Sequence, residues 1–357
     1  MQQTPSYDGS GLVNLIASIE SHLTGSATAP LLNDASFLDS AETAVLVLFD
    51  GLGTAQLEHP AASLFKSSTV STITCGYPAM TNVSLSTIAT GMTPGLHGQV
   101  AHLTWFPDLE MVVNTLKWVS LTGEPVVYDY AAVLPRPNFW ERLRASGVEP
   151  ITVQPGDFQM SPLSRQLYRG ARFEGAWDVE DLAEASIGLA EPGRLIFTYV
   201  PFVDVAGHVF GLGSEEFTDA MRVASGVWEA LSAGLPPSVA LIGTADHGLV
   251  DVAESDKIYI RGDGIEGMRF AGDPRAVQLW GSEPAMVDLA DLVGGELVDP
   301  LPLLGPSVSD EAASRVGQRV LLAPPGKAVL PPAFDKRLKA YHGGISPEEI
   351  EIPLLIG

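Results

Sequence analysis

Three nearly unbroken apolar runs stand out along the chain: "AVLVLF" at 44–49, "RLIFTYV" at 194–200 and "VALIGT" at 239–244. Runs of this length without polar alternation predict strands covered on both faces, as in a mostly parallel sheet. Each run stops at a polar cluster, respectively "DGLG", "PFVDVAGH" and "ADHGLVD". Ligands of open α/β sheets bind at the carboxyl ends of strands, so these clusters are where chemistry is expected. Between the runs, helices are predicted over 178–190, acidic in its first turn, and over 214–231, with Ser214 as N-cap ahead of Glu216 and Phe217. The alternation of strand and helix predicts a doubly wound α/β sandwich.

Residues 256–335 break the pattern. They are rich in Gly and Pro, with short strand-like pieces at 276–280 and 319–323 and a helix near 284–293. This stretch reads as a lid or cap inserted into one catalytic domain spanning 1–357, whose core is 40–255 and 336–357. The closing "AYHGGISPEEIEIPLLIG" re-enters the core through a turn and a last strand. The opening "MQQTPSYDGSGLVNLIASIESHL" reads as a tail and an amphipathic helix, since it lacks a basic region and a long apolar run. No stretch reaches the ~20 apolar residues of a membrane span, and no repeat or heptad pattern is present.

Composition narrows the class. The 357 residues are 46% hydrophobic and 18% charged, a balance typical of soluble globular proteins. A net charge of −23 argues against gripping a nucleic-acid polymer, which rests on clustered Lys and Arg. A small anionic substrate fits only with a local positive charge such as a metal ion. One cysteine, Cys75, permits no internal disulfide, and the expected location is cytoplasmic with no membrane partner.

The strand-end clusters hold Asp50, Asp204 with His208, and Asp246 with His247; His342 precedes Gly343 and Gly344. Imidazole and carboxylate donors together suit zinc, and six such residues divide into two sites of three. Each has a plainer reading. Asp50 is placed to be a turn or N-cap residue, the pair four apart at 204 and 208 recurs by chance, and His342 could be an ordinary loop histidine. Asp246-His247 argues most strongly, because adjacent ionisable groups at a core edge are costly without an ion or partner. Their joint occurrence at several sheet-end loops favours ligands. His97 in "PGLHG" reads as bonded within a turn, and His22 and His59 as solvated.

The stretch "PAMTNVSLSTIATGMTPGLHG" (78–98) predicts a helix opening at Thr81 and Asn82, with a regular apolar stripe following at once. Thr81 is either the cap of that helix or, with a metal lowering the pKa of its hydroxyl, a nucleophile facing the N–H groups of the first turn.

The ordered set "LFDGLG", "PAMTNVSLSTIATG", "DVAGH", "TADHG" and "YHGG" resembles the nucleotide pyrophosphatase/phosphodiesterase family of the alkaline phosphatase superfamily. The resemblance spans Asp50 to His342. It implies an alkaline-phosphatase-like three-layer sandwich, with one zinc held by Asp50, Thr81, Asp246 and His247 and another by Asp204, His208 and His342. It further implies hydrolysis of a small phosphodiester or phosphoanhydride through a phosphothreonine on Thr81. Two features depart from the family. Asn82 stands where nucleotide-hydrolysing members often carry a base-stacking aromatic, and is expected to contact substrate. The family's phosphoryl-binding asparagine after the "HG" turn is replaced by His102, with Asn114 as the other candidate. A phosphomonoesterase or a phosphonoacetate-type hydrolase remains open on the same core. Against the monoesterase stand the threonine nucleophile and the lack of Arg between Asp50 and Arg136; a sulfatase motif is missing at "CGYPAM". The non-enzyme alternative is a metal-stabilised binding protein, disfavoured because every expected ligand is present. Trp105, Phe106, Tyr128, Tyr130, Phe158 and Tyr168 are expected to shape the pocket.

Overall fold

The structure is a computed structural model that describes residues 3–129, 132–261, 265–332 and 334–357. Seven strands form a central sheet in the order Thr69–Thr74, Glu351–Ile356, Val239–Thr244, Thr43–Phe49, Arg194–Val200, Glu149–Pro155, Arg172–Ala176. The five strands from Val239–Thr244 to Arg172–Ala176 run parallel, and Glu351–Ile356 runs antiparallel to both its neighbours. Every residue of Thr43–Phe49 is buried, as expected of an apolar strand with helices over both faces. Helices Leu12–Thr24, Thr81–Thr90 and Phe139–Ala145 pack together, as do Val179–Leu189, Phe202–Phe210 and Glu215–Gly234, giving a three-layer α/β sandwich. Ser214 caps the last of these by accepting from the N–H of Phe217 at 3.0 Å. Among the described residues no helix is long and apolar enough to cross a membrane.

A second seven-stranded sheet packs beside the first. Its order is Glu296–Val298, Arg319–Leu322, Ala276–Trp280, Arg269–Asp273, Leu103–Phe106, Met111–Asn114, Val119–Ser120, antiparallel throughout. The stretch expected as a lid thus supplies only part of this layer. The other part comes from Leu103–Ser120, joined through the pairing of Gly272 with Leu103.

The helix Thr81–Thr90 does not have the apolar stripe its pattern suggested. All nine residues from Asn82 to Thr90 are buried, hydroxyls included. Short hydroxyls survive there by bonding backbone carbonyls: Ser86 to Asn82 O and Thr90 to Ser86 O, both at 2.6 Å.

Candidate active site

The register of the parallel strands brings the acidic clusters together. Phe49 pairs with Val200, and Leu48 with Thr244, so the loops after all three strands open at one edge. Asp50 N–H donates to Val200 O and its carbonyl accepts from Asp204 N–H, each at 3.0 Å. Between them Gly51, at φ +76°, is close enough to Asp204 that a Cβ would lie 2.9 Å from its Cα. Only glycine both tolerates that φ and lets the two loops meet.

The side chains converge with their free atoms inward. Asp246 Oδ1 accepts the N–H groups of Gly51 and His247, both at 3.0 Å, which leaves Oδ2 buried without a partner. Asp50 Oδ2 accepts from the Tyr199 hydroxyl, and its Oδ1 is likewise unpartnered. Asp204 Oδ1 is the third such oxygen; it lies 3.2 Å from His208 Nε2 and 3.7 Å from His342 Nε2. The histidines are fixed from behind. Nδ1 of His208 donates to Ala340 O, and Nδ1 of His342 to Ala79 O, each at 2.8 Å. A carbonyl can only accept, so in each neutral ring the lone pair lies on Nε2, and the two Nε2 atoms are 3.1 Å apart. Three orphaned carboxylate oxygens beside opposed imidazole lone pairs form a donor set that a cation satisfies.

Two groups of ligand atoms lie within 4.8 Å of one another: Asp50, Asp246 and His247, and Asp204, His247 and His342. His247 belongs to both, and its ring stacks on His342 at 3.6 Å. Electrostatics follow from the crowding. Burial, then the charges of Asp246 and Asp204, push the Asp50 carboxyl well above its ordinary range. Burial and the neighbouring His247 and His208 hold His342 well below the ordinary histidine value. A cation between them would favour the ionised Asp50 carboxylate and the neutral His342 imidazole, the two forms that ligate.

Thr81 opens its helix at the rim of this cluster, with Oγ1 3.1 Å from His247 Nε2. The helix is tied down by Ser84, whose hydroxyl donates to Asp246 O at 2.6 Å. Thr81, Asp204, His208 and His342 line a cavity of about 920 Å³, together with His102 and Asn114 from the second sheet's side. Burial lowers His102 to about 4, so its ring is neutral at pH 7. Asn114 Oδ1 accepts the N–H groups of Leu116 and Lys117 at 3.2 Å each, which fixes the turn behind it.

Asn82 is placed elsewhere. It is fully buried, outside the cavity lining, with its amide on Ala101 O and Thr115 Oγ1. The expected pocket aromatics also pack away from the lining. Phe106 and Tyr128 cluster with Trp118, Trp105 lies under Arg269, Phe158 meets Tyr199, and Tyr168 joins Trp140 and Phe197 in the core. Tyr130 lies outside the described residues. The cavity's aromatics are Phe334 and Tyr341.

Sequence reasoning missed other lining groups. Asp273 is buried with Oδ1 unpartnered, 3.8 Å from His102 Nδ1, and burial pushes its carboxyl up to about 8. Its only signal is a polar residue closing a short strand. Lys117, Lys336 and Arg337 place positive charge at the cavity of an otherwise acidic chain. Nothing in their local sequence marks them.

The sequence matches the family described as type I phosphodiesterase / nucleotide pyrophosphatase over residues 44–267. No curated protein matches it at a significant level. Among solved structures it is similar to murine ectonucleotide pyrophosphatase / phosphodiesterase 5, at 20% identity over 87% of each chain with a TM-score of 0.65. An inactive variant of that murine protein, in complex with AMP, gives 19% identity over 87% of each chain and a TM-score of 0.64. Phosphonoacetate hydrolase from Sinorhizobium meliloti 1021, in complex with phosphonoacetate, matches at 18% identity over 88% of this chain and 89% of that one, with a TM-score of 0.63. The chain therefore belongs to the type I phosphodiesterase / nucleotide pyrophosphatase family of metal-dependent hydrolases.

Proposed function

We propose that the protein is a two-zinc hydrolase that cleaves a small phosphodiester or phosphoanhydride by attack of Thr81 on phosphorus. The observation that carries this reading is the Thr81 hydroxyl, on a helix start at the edge of a cavity, 3.1 Å from a histidine shared by two ligand clusters. Asp50, Thr81, Asp246 and His247 would hold one ion, and Asp204, His208 and His342 the other. When bound, the pair of ions supplies positive charge to the phosphoryl oxygens and makes a threonine alkoxide accessible near neutral pH.

The chain's own residues do the rest. Thr81 Oγ forms the new bond to phosphorus, the bond to the leaving oxygen breaks, and that oxygen takes a proton from water. A second water then attacks phosphorus on Thr81, which still carries the substrate's other substituent; the Oγ–P bond breaks, the phosphomonoester half of the substrate leaves, and the proton of that water restores the hydroxyl. N–H groups in the first turn of Thr81–Thr90 face the anion. His102 and Asn114 are positioned as donors to a phosphoryl oxygen from the opposite wall.

A phosphonate substrate is the second reading, favoured by Lys117, Lys336 and Arg337, which suit a second negative group on the substrate. Rates on a chromogenic phosphodiester, a chromogenic monoester, a dinucleotide and phosphonoacetate, with and without zinc, decide between them. Fastest turnover of the diester or dinucleotide supports the first reading. Fastest turnover of phosphonoacetate replaces it, and turnover of none removes both.

A further inference from the structure

Thr81 and Asn82 are consecutive, yet their side chains serve different parts of the molecule. The Thr81 hydroxyl lies against His247, whereas the Asn82 amide nitrogen donates to Ala101 O at 2.8 Å and to Thr115 Oγ1 at 2.9 Å. Carbonyl oxygens only accept, so the orientation of the amide is settled. Ala101 and Thr115 are the immediate neighbours of His102 and Asn114, the two cavity residues facing Thr81. Thr115 closes the circuit, since its N–H and its hydroxyl both donate to His102 O at 3.0 Å.

The segment from Gly98 to Ala101 precedes the strand Leu103–Phe106 and lies outside its ladder. Side chains replace that ladder: Arg315 donates to Gly98 O at 3.1 Å, Gln278 to Val100 O at 2.7 Å and Asn82 to Ala101 O. Of these three, Asn82 alone belongs to the helix that carries Thr81.

We propose that Asn82 is a positioning residue that fixes the spacing between the Thr81 hydroxyl and the His102–Asn114 wall of the cavity. It ties the nucleophile's helix to the carbonyl of the residue before His102 and to the hydroxyl of the residue after Asn114. The consequence for rate rests on the hydrolytic reading above, because a displacement of about 1 Å between reacting groups can cost about 100-fold.

The test uses the zinc-loaded full chain and a chromogenic phosphodiester. Asn82→Ala should lower kcat about 10- to 100-fold, change KM less than about threefold, and retain wild-type zinc content. Thr115→Val, which removes the second anchor, should show a smaller loss, and Thr115→Ser should restore most of it. The Asn82→Ala/Thr115→Val pair should lose little more than Asn82→Ala alone. Wild-type kcat in Asn82→Ala overturns the proposal, as does a loss of activity that follows a loss of zinc. If Asn82→Ala does not fold, the Thr115 pair of variants decides by the same criteria. A wild-type enzyme inactive on every ester removes the hydrolytic reading only. The clamp is then judged by the imidazole NMR signals of His102, which should shift in Thr115→Val, and unchanged signals overturn it.

Discussion

The floor of the cavity comes from loops that follow neighbouring parallel strands of the central sheet, whereas its wall comes from the second sheet, where Leu103–Phe106 and Met111–Asn114 meet Arg269–Asp273. On the floor each candidate ligand follows a buried strand or sits on a helix, and its position follows from register. On the wall, His102 and Asp273 are brought within 3.8 Å by one strand pairing between segments about 170 residues apart, and the approach to that strand is held by individual side chains. The floor is therefore fixed by strand register and by backbone hydrogen bonds between its loops, the wall by a few side-chain hydrogen bonds. Damage to the floor should abolish chemistry, and damage to the wall should slow it.

The largest effect tests the floor. Thr81→Ala should lower kcat roughly 10⁴-fold or more while zinc is still bound through the remaining ligands, checked by single-turnover kinetics and metal analysis. Near-full activity in that variant would sink the nucleophile assignment. Chelation should likewise abolish hydrolysis and also lower the melting temperature by several degrees, since a ligand at a thousand times its Kd contributes about 4 kcal/mol. Unchanged melting on zinc removal and return would mean that the orphaned oxygens of Asp50, Asp204 and Asp246 do not bind an ion.

On the wall, His102→Ala should lower kcat/KM about 100-fold, the usual worth of one donor to a developing anion, with zinc content unchanged. A smaller effect than that of Asn114→Ala would hand the phosphoryl contact to Asn114. Between floor and wall lies His97, whose Nδ1 accepts from Gln99 N–H at 3.1 Å and whose burial lowers it to about 3. Its unfolded value is near 6.5, so below that pH the unfolded chain binds the extra proton. The stability held by neutral His97 is thus present at pH 7 and lost as pH falls from about 6.5 toward 3. Between pH 7 and pH 5 the wild type should lose about 2 kcal/mol that a His97→Gln variant does not, measured by urea denaturation. Equal losses would mean that His97 is solvated. The smallest effect belongs to the rim: Lys117→Ala or Lys336→Ala should raise KM only a few-fold, and less so at high salt, because these groups are exposed.

The chemistry of the floor was legible in the sequence because buried parallel strands announce themselves as apolar runs, and a polar residue at their ends has few places to go. The strands at 44–49, 194–200 and 239–244 stand where the pattern put them, and the six carboxylate and imidazole side chains come together with Thr81 at one edge. The second sheet was only half legible. Its 276–280 and 319–323 strands were readable, but a short antiparallel strand such as Leu103–Phe106 gives no hint of its partner. The hydroxyl-rich helix misled for a different reason: a helix buried on every side satisfies Ser and Thr internally and needs no polar face.

By itself, then, the sequence determined the kind of sheet and which carboxylate, imidazole and hydroxyl side chains stand at its strand ends, because these depend on residue type at the ends of locally encoded elements. Tertiary structure alone decided which way each side chain turned. It took Asn82 out of the cavity and made it a tie, placed Asp273 against His102, and brought Lys117 and Lys336 to one mouth. Those outcomes depend on contacts between distant segments, for which a local pattern carries no energy.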